Sequence, residues 1–567
     1  ALWKLDRATF TSLLMQEAEL RRALPCHLGE RLRIAKAGQT SQGPVIYWMR
    51  SALRGHENPA LDCAAFAATA LQVPLLVLLH VEDRYPHATA RRQAFLLQGA
   101  QLVQVELDQL GVPVHVHIER GAGVPEVHIT LACRASLLVA EEPFCVPWIA
   151  GVEQLCAEPS VKAPVWLMDC SSIVPSALVP ADACHRAYAF EQGTRRLHAE
   201  HAIRPWPPMQ VPPATDKDQL LQSLQGLPHS VVLVSADLVS LVSEMNVDAS
   251  VPPVAHTVGG SVAGYARWNT WLERGGLKTY AQRRNNSLDV HAVSRMSAYL
   301  NMGMVSPFRL AREASAAVGS GKSKFLHEFL TWRGLAFAHC YHFPMPATGA
   351  TLAQLPSWAQ QTLRHHSHDS RRVIPRERLA AAQSGDRGWD GMQRYLSATG
   401  ELHNNARMGW GKAIVKWAAN PEEALDILLE LNNRFALDGH APPSYGGLLG
   451  CMGLFEGPGK SESAVLGRVS FRPPKPRYAA MQELAQELLG AACEQSRCTP
   501  FAFSPKCGPK PEAKDIGCVH DVSKLREMQV GIQDTLERRG HADVEPRKRR
   551  WVARLRPEDA VPCIDLS

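Results

Sequence analysis

Three tryptophans in the C-terminal half are the residues whose type and spacing most directly suggest chemistry. They are Trp389 in GWDGMQ, Trp410 in HNNARMGWGK and Trp417 in AIVKW. The segment that holds the last two has a helical pattern, so seven residues place both rings on one face, roughly 10.5 Å apart along the axis. Such an aromatic stripe is more often core packing, but it could also conduct electrons.

Four long motifs surround these tryptophans between Phe325 and Pro473: FLHEFLTWRGLAFAHCYHFP, LPSWAQQTLRHHSHDSRR, HNNARMGWGK and LNNRFALDGHAPPSY. Through them the chain resembles the class II branch of the photolyase/cryptochrome family, as a divergent member, over roughly residues 44 to 475. Family members with tryptophans at these spacings relay electrons to a photoexcited FAD. The resemblance therefore implies an FAD cofactor and an electron chain of Trp389, Trp410 and Trp417.

A second segment, AVSRMSAYLNMG, resembles the family's phosphate-binding turn and supplies Ser294, Met296 and Ser297. Hydroxyls and backbone amides at a helix start suit a pyrophosphate, because unpaired amides and the helix dipole favour anions there. The serines could instead be simple helix caps. The motif's usual Pro and His are Ala298 and Asn301 here, so we expect an altered pocket.

The resemblance also implies residues around the flavin. Tyr280 and Arg284 in TYAQRRN would lie near the phosphates. Arg407 and Asp438 match a buried pair that can stabilise a reduced, anionic ring through charge-assisted hydrogen bonds. Asn432 matches the residue that faces flavin N5 in class II enzymes. Each of these could instead be an ordinary buried ion pair or amide.

The substrate side departs from the family. Its Trp/Arg-Arg-Glu triplet, whose Glu hydrogen-bonds the lesion, is Trp332-Arg333-Gly334 in this chain. Gly450 stands where class II members place a tryptophan of the lesion pocket. Stacking on an aromatic contributes roughly 1–3 kcal/mol per base, and a charged hydrogen bond another ~1.5–3 kcal/mol. We therefore expect weakened binding of a flipped pyrimidine dimer.

Three residues remain candidate contacts for that substrate. His403 and Asn404 match the family's active-site His-Asn, and Arg333 keeps the basic position of the triplet. The departure from the family is thus partial.

Two further motifs carry no site. GSGKS at 319–323 lacks the first glycine of a P-loop, because that position is Ala316, and a loop between two helices is the expected structure. His365, His366 and His368 have no cysteine or carboxylate cluster to complete a ligand set, so no metal is assigned.

The bulk composition permits these expectations. A chain of 567 residues predicts two or more domains. The net charge of +6 allows DNA binding without requiring it. Fourteen scattered cysteines favour a reducing compartment, so we expect an intracellular protein, with nucleus or organelle unresolved. The sequence contains no run of eighteen apolar residues, so no membrane span is predicted, and no secretory signal is apparent.

Alternating apolar runs and helical segments predict a doubly wound parallel α/β domain followed by an all-helical domain, the photolyase/cryptochrome-like arrangement. The expected boundaries are a helical extension at 1–43, the α/β domain at 44–175, a Pro-rich surface linker at 176–255, the FAD-binding domain at 256–475 and a C-terminal extension at 476–567 with a basic run at 547–550. The α/β domain could hold an antenna chromophore, but the sequence identifies none.

Three functions follow from these observations. The first is a light-driven FAD flavoprotein with impaired DNA repair, serving as a photoreceptor or as an interaction subunit whose extensions bind a protein partner. The second is a working deoxyribodipyrimidine photolyase, a carbon-carbon lyase that splits cyclobutane dimers in DNA. The third is a structural subunit of a larger assembly.

Overall fold

The computed structural model describes residues 7–13, 16–121, 125–209 and 217–496, all within one compact unit, Ala1–Ala513. The predicted basic run at 547–550 and most of the C-terminal extension lie outside the described residues. In the part of the chain that is described, no helix combines the length and the apolar character needed to cross a bilayer.

The N-terminal part is built on one six-stranded sheet. Its strands are β1 (Leu32–Lys36), β2 (Val45–Met49), β3 (Leu75–Val81), β4 (Val114–Ile118), β5 (Leu137–Glu141) and β6 (Val165–Met168), in the spatial order β1-β6-β5-β2-β3-β4. Strands β2 to β6 are mutually parallel. Strands β2, β3 and β5 are buried at every residue, as expected for a parallel sheet covered by helices on both faces. The predicted α/β domain is confirmed.

The N-terminal extension is more than helical. Its residues Leu32–Lys36 form β1, which pairs antiparallel with β6. This strand covers an edge of the sheet that would otherwise expose unpaired backbone groups. The extension is therefore part of the α/β domain, which the helical pattern of residues 1–43 did not predict.

The helices of the first half are α1 (Arg7–Leu13), α2 (Glu17–Ala23), α3 (Cys26–Gly29), α4 (Pro59–Leu71), α5 (Ala90–Gln109), α6 (Val127–Arg134), α7 (Trp148–Ala157), α8 (Ala187–His201), α9 (Lys217–Leu224) and α10 (Leu238–Ser243). Three of them, α8 to α10, lie in the predicted linker at 176–255. That segment also buries Leu233 and Leu241 in the hydrophobic core. Its proline-rich stretch at 204–209 has no regular structure, as the prolines predicted.

The second half is helical, as predicted. Its helices are α11 (Ser261–Glu273), α12 (Gly276–Arg283), α13 (Ser297–Asn301), α14 (Pro307–Ala316), α15 (Lys322–Leu326), α16 (Arg333–His342), α17 (Ser357–His365), α18 (Arg376–Ala380), α19 (Arg387–Thr399), α20 (Asn404–Trp417), α21 (Pro421–Phe435), α22 (Pro442–Gly450) and α23 (Met481–Ser496). Helix α23, at the start of the predicted C-terminal extension, packs against α19. The first three residues of GSGKS lie in the loop between α14 and α15, as expected, and the last two, Lys322 and Ser323, begin α15.

Two arginines at the start of α5 hold the helical half against the α/β domain. The Arg91 guanidinium donates to the carbonyl oxygen of Phe435 at 2.9 Å, and Arg92 Nη1 donates to the carbonyl oxygen of Gly439 at 3.0 Å. Both side chains are buried. Since Asp438 lies between these two carbonyls, the α/β domain fixes the backbone that carries this carboxylate.

Candidate functional site

A cavity of about 690 Å³ opens among the helices of the second half. It is lined by α12, by the segment from Ser287 to Asn301, by the residues around Glu328, by the start of α20 and by α22. This volume lies within the range of cofactor and small-molecule sites. Many of the residues that the sequence singled out lie in the wall of this cavity.

Eleven of those residues reach its wall. The lining includes Tyr280, Arg284, Ser294, Met296, Ser297, Arg333, His403, Asn404, Arg407, Asp438 and Gly450. The remaining candidates, Asn432 and the three tryptophans, are not among the wall residues.

The predicted phosphate-binding turn has an unusual backbone. Arg295 adopts a φ of 54°, in the left-handed region that non-glycine residues rarely enter. Its Nε donates to Glu401 Oε2 at 2.6 Å, which holds the strained residue in place. Burial alone would raise the pKa of Glu401, but Arg295 and Arg267 hold this pKa well below its ordinary value.

The turn itself differs from the expected helix start. Helix α13 is five residues long and its N-cap is Met296. The serines therefore do not cap this helix. A helix this short contributes little dipole. Attraction for an anion depends instead on nearby cations, chiefly Arg284 and Lys324.

These cations share one carboxylate. Glu328 Oε2 lies 2.9 Å from Arg284 Nη2, and its Oε1 lies 2.7 Å from Lys324 Nζ. The Arg284 guanidinium also lies over the Tyr280 ring, 5.7 Å from its centroid. This part of the wall thus keeps a net positive charge beside an aromatic ring.

A π-helical turn at His327–Trp332 joins α15 to α16 and sets which side chains face the cavity. Such turns change side-chain direction relative to a continuous α-helix and recur at functional sites. Here Glu328, Phe329, Trp332 and Arg333 all line the cavity. Trp332 is 45% exposed, so a large aromatic surface is accessible from solvent.

Gly334 does not occupy the position that the sequence implied. It is not part of the lining, and a Cβ built there would lie 3.1 Å from Phe190 Cζ of α8. A glutamate at this position would therefore point toward α8. The cavity has its own carboxylate in Glu328, so the missing acid of the triplet does not leave the site without one.

Gly450 does face the cavity. Among the described residues, and apart from the backbone of its own helix, one atom lies within 4 Å of a Cβ built there: Met408 Cε, at 3.9 Å. The absent side chain at this position leaves open space, which the sequence alone could not show.

Arg407 and Asp438 form the predicted pair. Arg407 Nη2 lies 2.8 Å from Asp438 Oδ1 and 3.1 Å from Oδ2. Asn432 stands behind the pair, where its Oδ1 accepts from Arg407 Nη1 at 3.2 Å and its Nδ2 donates to Ser444 Oγ at 2.8 Å. Asn432 therefore orients Arg407 and Ser444 and does not itself reach the cavity.

His403 is the N-cap of α20. Its Nδ1 accepts from the backbone N–H of Asn405 at 3.1 Å, so the other nitrogen carries the proton and donates to the carbonyl of Arg284 at 2.9 Å. Burial lowers the pKa of His403 to about 4, which keeps the ring neutral near pH 7. Asn404 beside it is exposed.

The three tryptophans form one contact chain with Trp389 in the middle. Its ring is stacked on that of Trp410 with centroids 6.2 Å apart and an angle of 5°, and it meets Trp417 edge to face at 5.7 Å. Trp389 and Trp410 are fully buried, whereas Trp417 is partly exposed. Trp410 follows the cavity residue Arg407 by three positions on α20, so the chain runs from the cavity region to the surface.

Sequence reasoning missed three cavity residues. Glu328 and the Arg295–Glu401 pair carried no signal, because charged residues on a helical pattern usually face solvent. Trp332 was counted only as part of the triplet.

The predicted absence of a metal concerned three histidines near 366. His366 Nδ1 contacts Asp369 Oδ2 at 2.7 Å. Across the described ranges, no three His, Cys, Asp or Glu side chains are grouped so that they could hold a metal ion.

The fold is that of the photolyases and cryptochromes. A Synechocystis cryptochrome matches with a TM-score of 0.57 at 16% identity, over 87% of this chain and 99% of its own. An archaeal photolyase from Sulfolobus tokodaii, solved with two FAD molecules, matches with a TM-score of 0.53 at 14% identity, over 86% of this chain and 100% of its own.

Sequence comparisons agree with the fold. The DNA photolyase family model matches residues 45–213. Deoxyribodipyrimidine photo-lyases from Methanothermobacter thermautotrophicus and Arabidopsis thaliana are both 27% identical, over 75% and 78% of this chain and 90% and 88% of their own lengths. By sequence and by fold, the chain is thus similar to the photolyases and cryptochromes.

Proposed function

We propose that this chain is a divergent class II photolyase-like flavoprotein, in which light drives electrons along Trp417, Trp389 and Trp410 to a bound FAD. The observation that carries this proposal is the contact chain of three indoles, which starts at the surface and ends one helical turn from the cavity. An aromatic cluster formed for packing alone has no need to reach both solvent and a cofactor-sized cavity.

The cavity fits FAD by chemistry as well as by size. A dinucleotide needs cations for its diphosphate, and Arg284 and Lys324 line the wall together with Ser294 and Ser297. Arg284 Nε is buried without a hydrogen-bond partner among the described residues, so a donor remains for an anion. These residues would hold the diphosphate.

The isoalloxazine ring would lie against Arg407 and Asp438. When bound, FAD would supply the absorption of blue light and the acceptor for the electrons that the tryptophans donate. The Arg407 guanidinium would donate hydrogen bonds to a ring that gains negative charge, and Asp438 fixes its direction. Asn432 keeps Arg407 in place from behind.

Weakened dimer repair is part of this proposal. Gly450 leaves one side of the cavity without the aromatic platform that the family resemblance implies, and a base that is not stacked there loses roughly 1–3 kcal/mol of binding free energy. The role that remains for photochemistry is then light reception, with a signal passed to a partner.

The experiment that tests the cofactor and the chain together is the visible absorption spectrum of the purified protein, before and after blue light with a thiol reductant. We expect a flavin spectrum that bleaches, and a Trp410→Phe variant that binds FAD but bleaches much more slowly. Protein that is colourless and takes up no added FAD would contradict the proposal.

A working DNA lyase is the second candidate, and one observation favours it. Glu328 and the exposed ring of Trp332 line the same cavity, so a carboxylate and an aromatic surface remain for a flipped dimer. The curated relatives are deoxyribodipyrimidine photo-lyases. Light-dependent repair of dimer-containing duplex DNA that is abolished in Glu328→Gln would establish this function, and photoreduction without repair would exclude it.

A further inference from the structure

We propose that Trp271 and Trp268 form a second electron-donating route to the same cavity, separate from the chain of Trp389. This inference rests on the proposed function, because it needs FAD as the electron acceptor. It concerns two tryptophans of α11.

A continuous aromatic contact leads from the cavity to these two indoles. Tyr280 and Phe325 line the cavity. The Trp271 ring lies 6.0 Å from Tyr280 and 5.5 Å from Phe325, centroid to centroid. Trp268 follows at 5.4 Å from Trp271. These separations match those within the chain of Trp389, where neighbouring rings lie 6.2 and 5.7 Å apart.

The backbone is shaped around Trp271. A Cβ at Gly276 would lie 2.2 Å from Trp271 Cε2, so only glycine allows α12 to approach this ring. Trp268 is fully buried and Trp271 is 5% exposed. Both rings are therefore held at fixed distances, as transfer between aromatic rings requires.

The Trp268 indole donates to a carboxylate, unlike the two buried indoles of the other chain. Trp268 Nε1 donates to Glu313 Oε2 at 2.7 Å. In the other chain, Trp389 donates to a backbone carbonyl and Trp410 donates to the amide oxygen of Gln393, and neither acceptor is a base. The other oxygen of this carboxylate, Oε1, accepts from Arg309 Nε at 2.7 Å, and the Glu313 side chain is one-third exposed, so it can exchange a proton with water.

The transfer then balances in three steps. Trp271 would donate one electron, across its contacts with Tyr280 and Phe325, to FAD bound in the cavity. Trp268 would donate one electron to the oxidised Trp271, which returns to its neutral form. The N–H proton of the oxidised Trp268 would move to the Glu313 carboxylate. The protein would then hold a neutral indolyl radical at Trp268 and a protonated Glu313, with one electron passed to FAD, and the proton transfer would slow the return of that electron.

Flash photolysis of the FAD-loaded full chain tests this route in a Trp410→Phe background, where the first chain is interrupted. We expect that variant to keep a slower flash-induced tryptophanyl radical, and Trp410→Phe/Trp271→Phe to lose it. The matched control is Trp410→Phe/Trp166→Phe, because Trp166 is fully buried in β6, away from both routes. FAD content and thermal unfolding are measured for each variant.

A radical of equal yield in Trp410→Phe and Trp410→Phe/Trp271→Phe would overturn the inference while leaving the proposed function intact. Absence of any radical in Trp410→Phe with FAD bound would overturn it as well. A wild-type protein without flavin would instead refute the proposed function and this route together. In Trp410→Phe/Glu313→Gln we expect the radical to form but to decay faster, because the proton has no carboxylate to accept it.

Discussion

Replacing Gly450 by tryptophan should restore an aromatic platform in the cavity. The position faces open space, with only the flexible Met408 side chain within 4 Å of a new Cβ. Base stacking on an aromatic contributes roughly 1–3 kcal/mol, which is about a 5- to 150-fold gain in affinity for a flipped dimer. We expect Gly450→Trp to bind dimer-containing DNA tighter by a factor in this range.

The assay is equilibrium binding of a duplex with a single cyclobutane dimer and of the same duplex undamaged. Salt is held constant, because phosphate contacts make affinity strongly salt-dependent. The FAD content of the variant is checked first, because a bulky side chain that displaced the cofactor would itself change the measured DNA affinity.

Gly334→Glu is the contrasting variant. It restores the acid of the family triplet, but its side chain would meet Phe190 and not the cavity. We expect no gain in dimer binding and a loss of stability of roughly 1–3 kcal/mol from overpacking. The reasoning is refuted if Gly450→Trp gains nothing, gains equally for undamaged DNA, or is surpassed by Gly334→Glu.

Three further predictions concern the electron chain, the ion pair and the pH dependence. Trp389→Phe should abolish rapid photoreduction and cost roughly 1–3 kcal/mol of stability, because the smaller ring leaves part of the indole site unfilled and the buried hydrogen bond to the Trp410 carbonyl is lost; flash photolysis and chemical denaturation measure the two effects. Asp438→Ala should lower FAD affinity and destabilise the fold toward the lower end of roughly 3–5 kcal/mol, since Arg407 loses its carboxylate partner while Asp438 itself is partly exposed; titration with FAD and thermal unfolding check this. Because the pKa of His403 is about 4 in the fold, its contribution to stability is complete above about pH 6.5 and is lost as the pH falls toward 4. His403→Asn keeps a helix cap but does not titrate, so its free energy of unfolding should fall less over that interval; equal slopes for the two proteins would contradict the assignment.

The local pattern of the sequence was sufficient for the layered fold. Runs such as VIYWM and SLLVAEE became the buried strands β2 and β5, because apolar, β-branched residues between helical segments have few other stable arrangements. The strand β1 was not predictable in this way. Its residues Leu32–Lys36 are half-buried and mixed in character, and they form a strand only because β6 presents an open edge.

The cavity wall was predictable where a short motif carries several wall residues together. Ser294, Met296 and Ser297 are neighbours in the chain, so a correct motif brings all three to the cavity. Positions on long helices were harder, because the face that a residue presents depends on the phase of the helix.

The sequence by itself determined the α/β plus helical architecture and named part of the cavity wall and the three tryptophans of the contact chain. Only the tertiary structure decided which of them meet. A π-helical turn directs Glu328 and Trp332 into the cavity and leaves Gly334 against α8. No pattern of residues in the sequence predicted that turn. Likewise, Trp389 lies between Trp410 and Trp417 because α19 packs across α20, and contacts between separate helices are set by packing of the whole core, not by spacing along the chain.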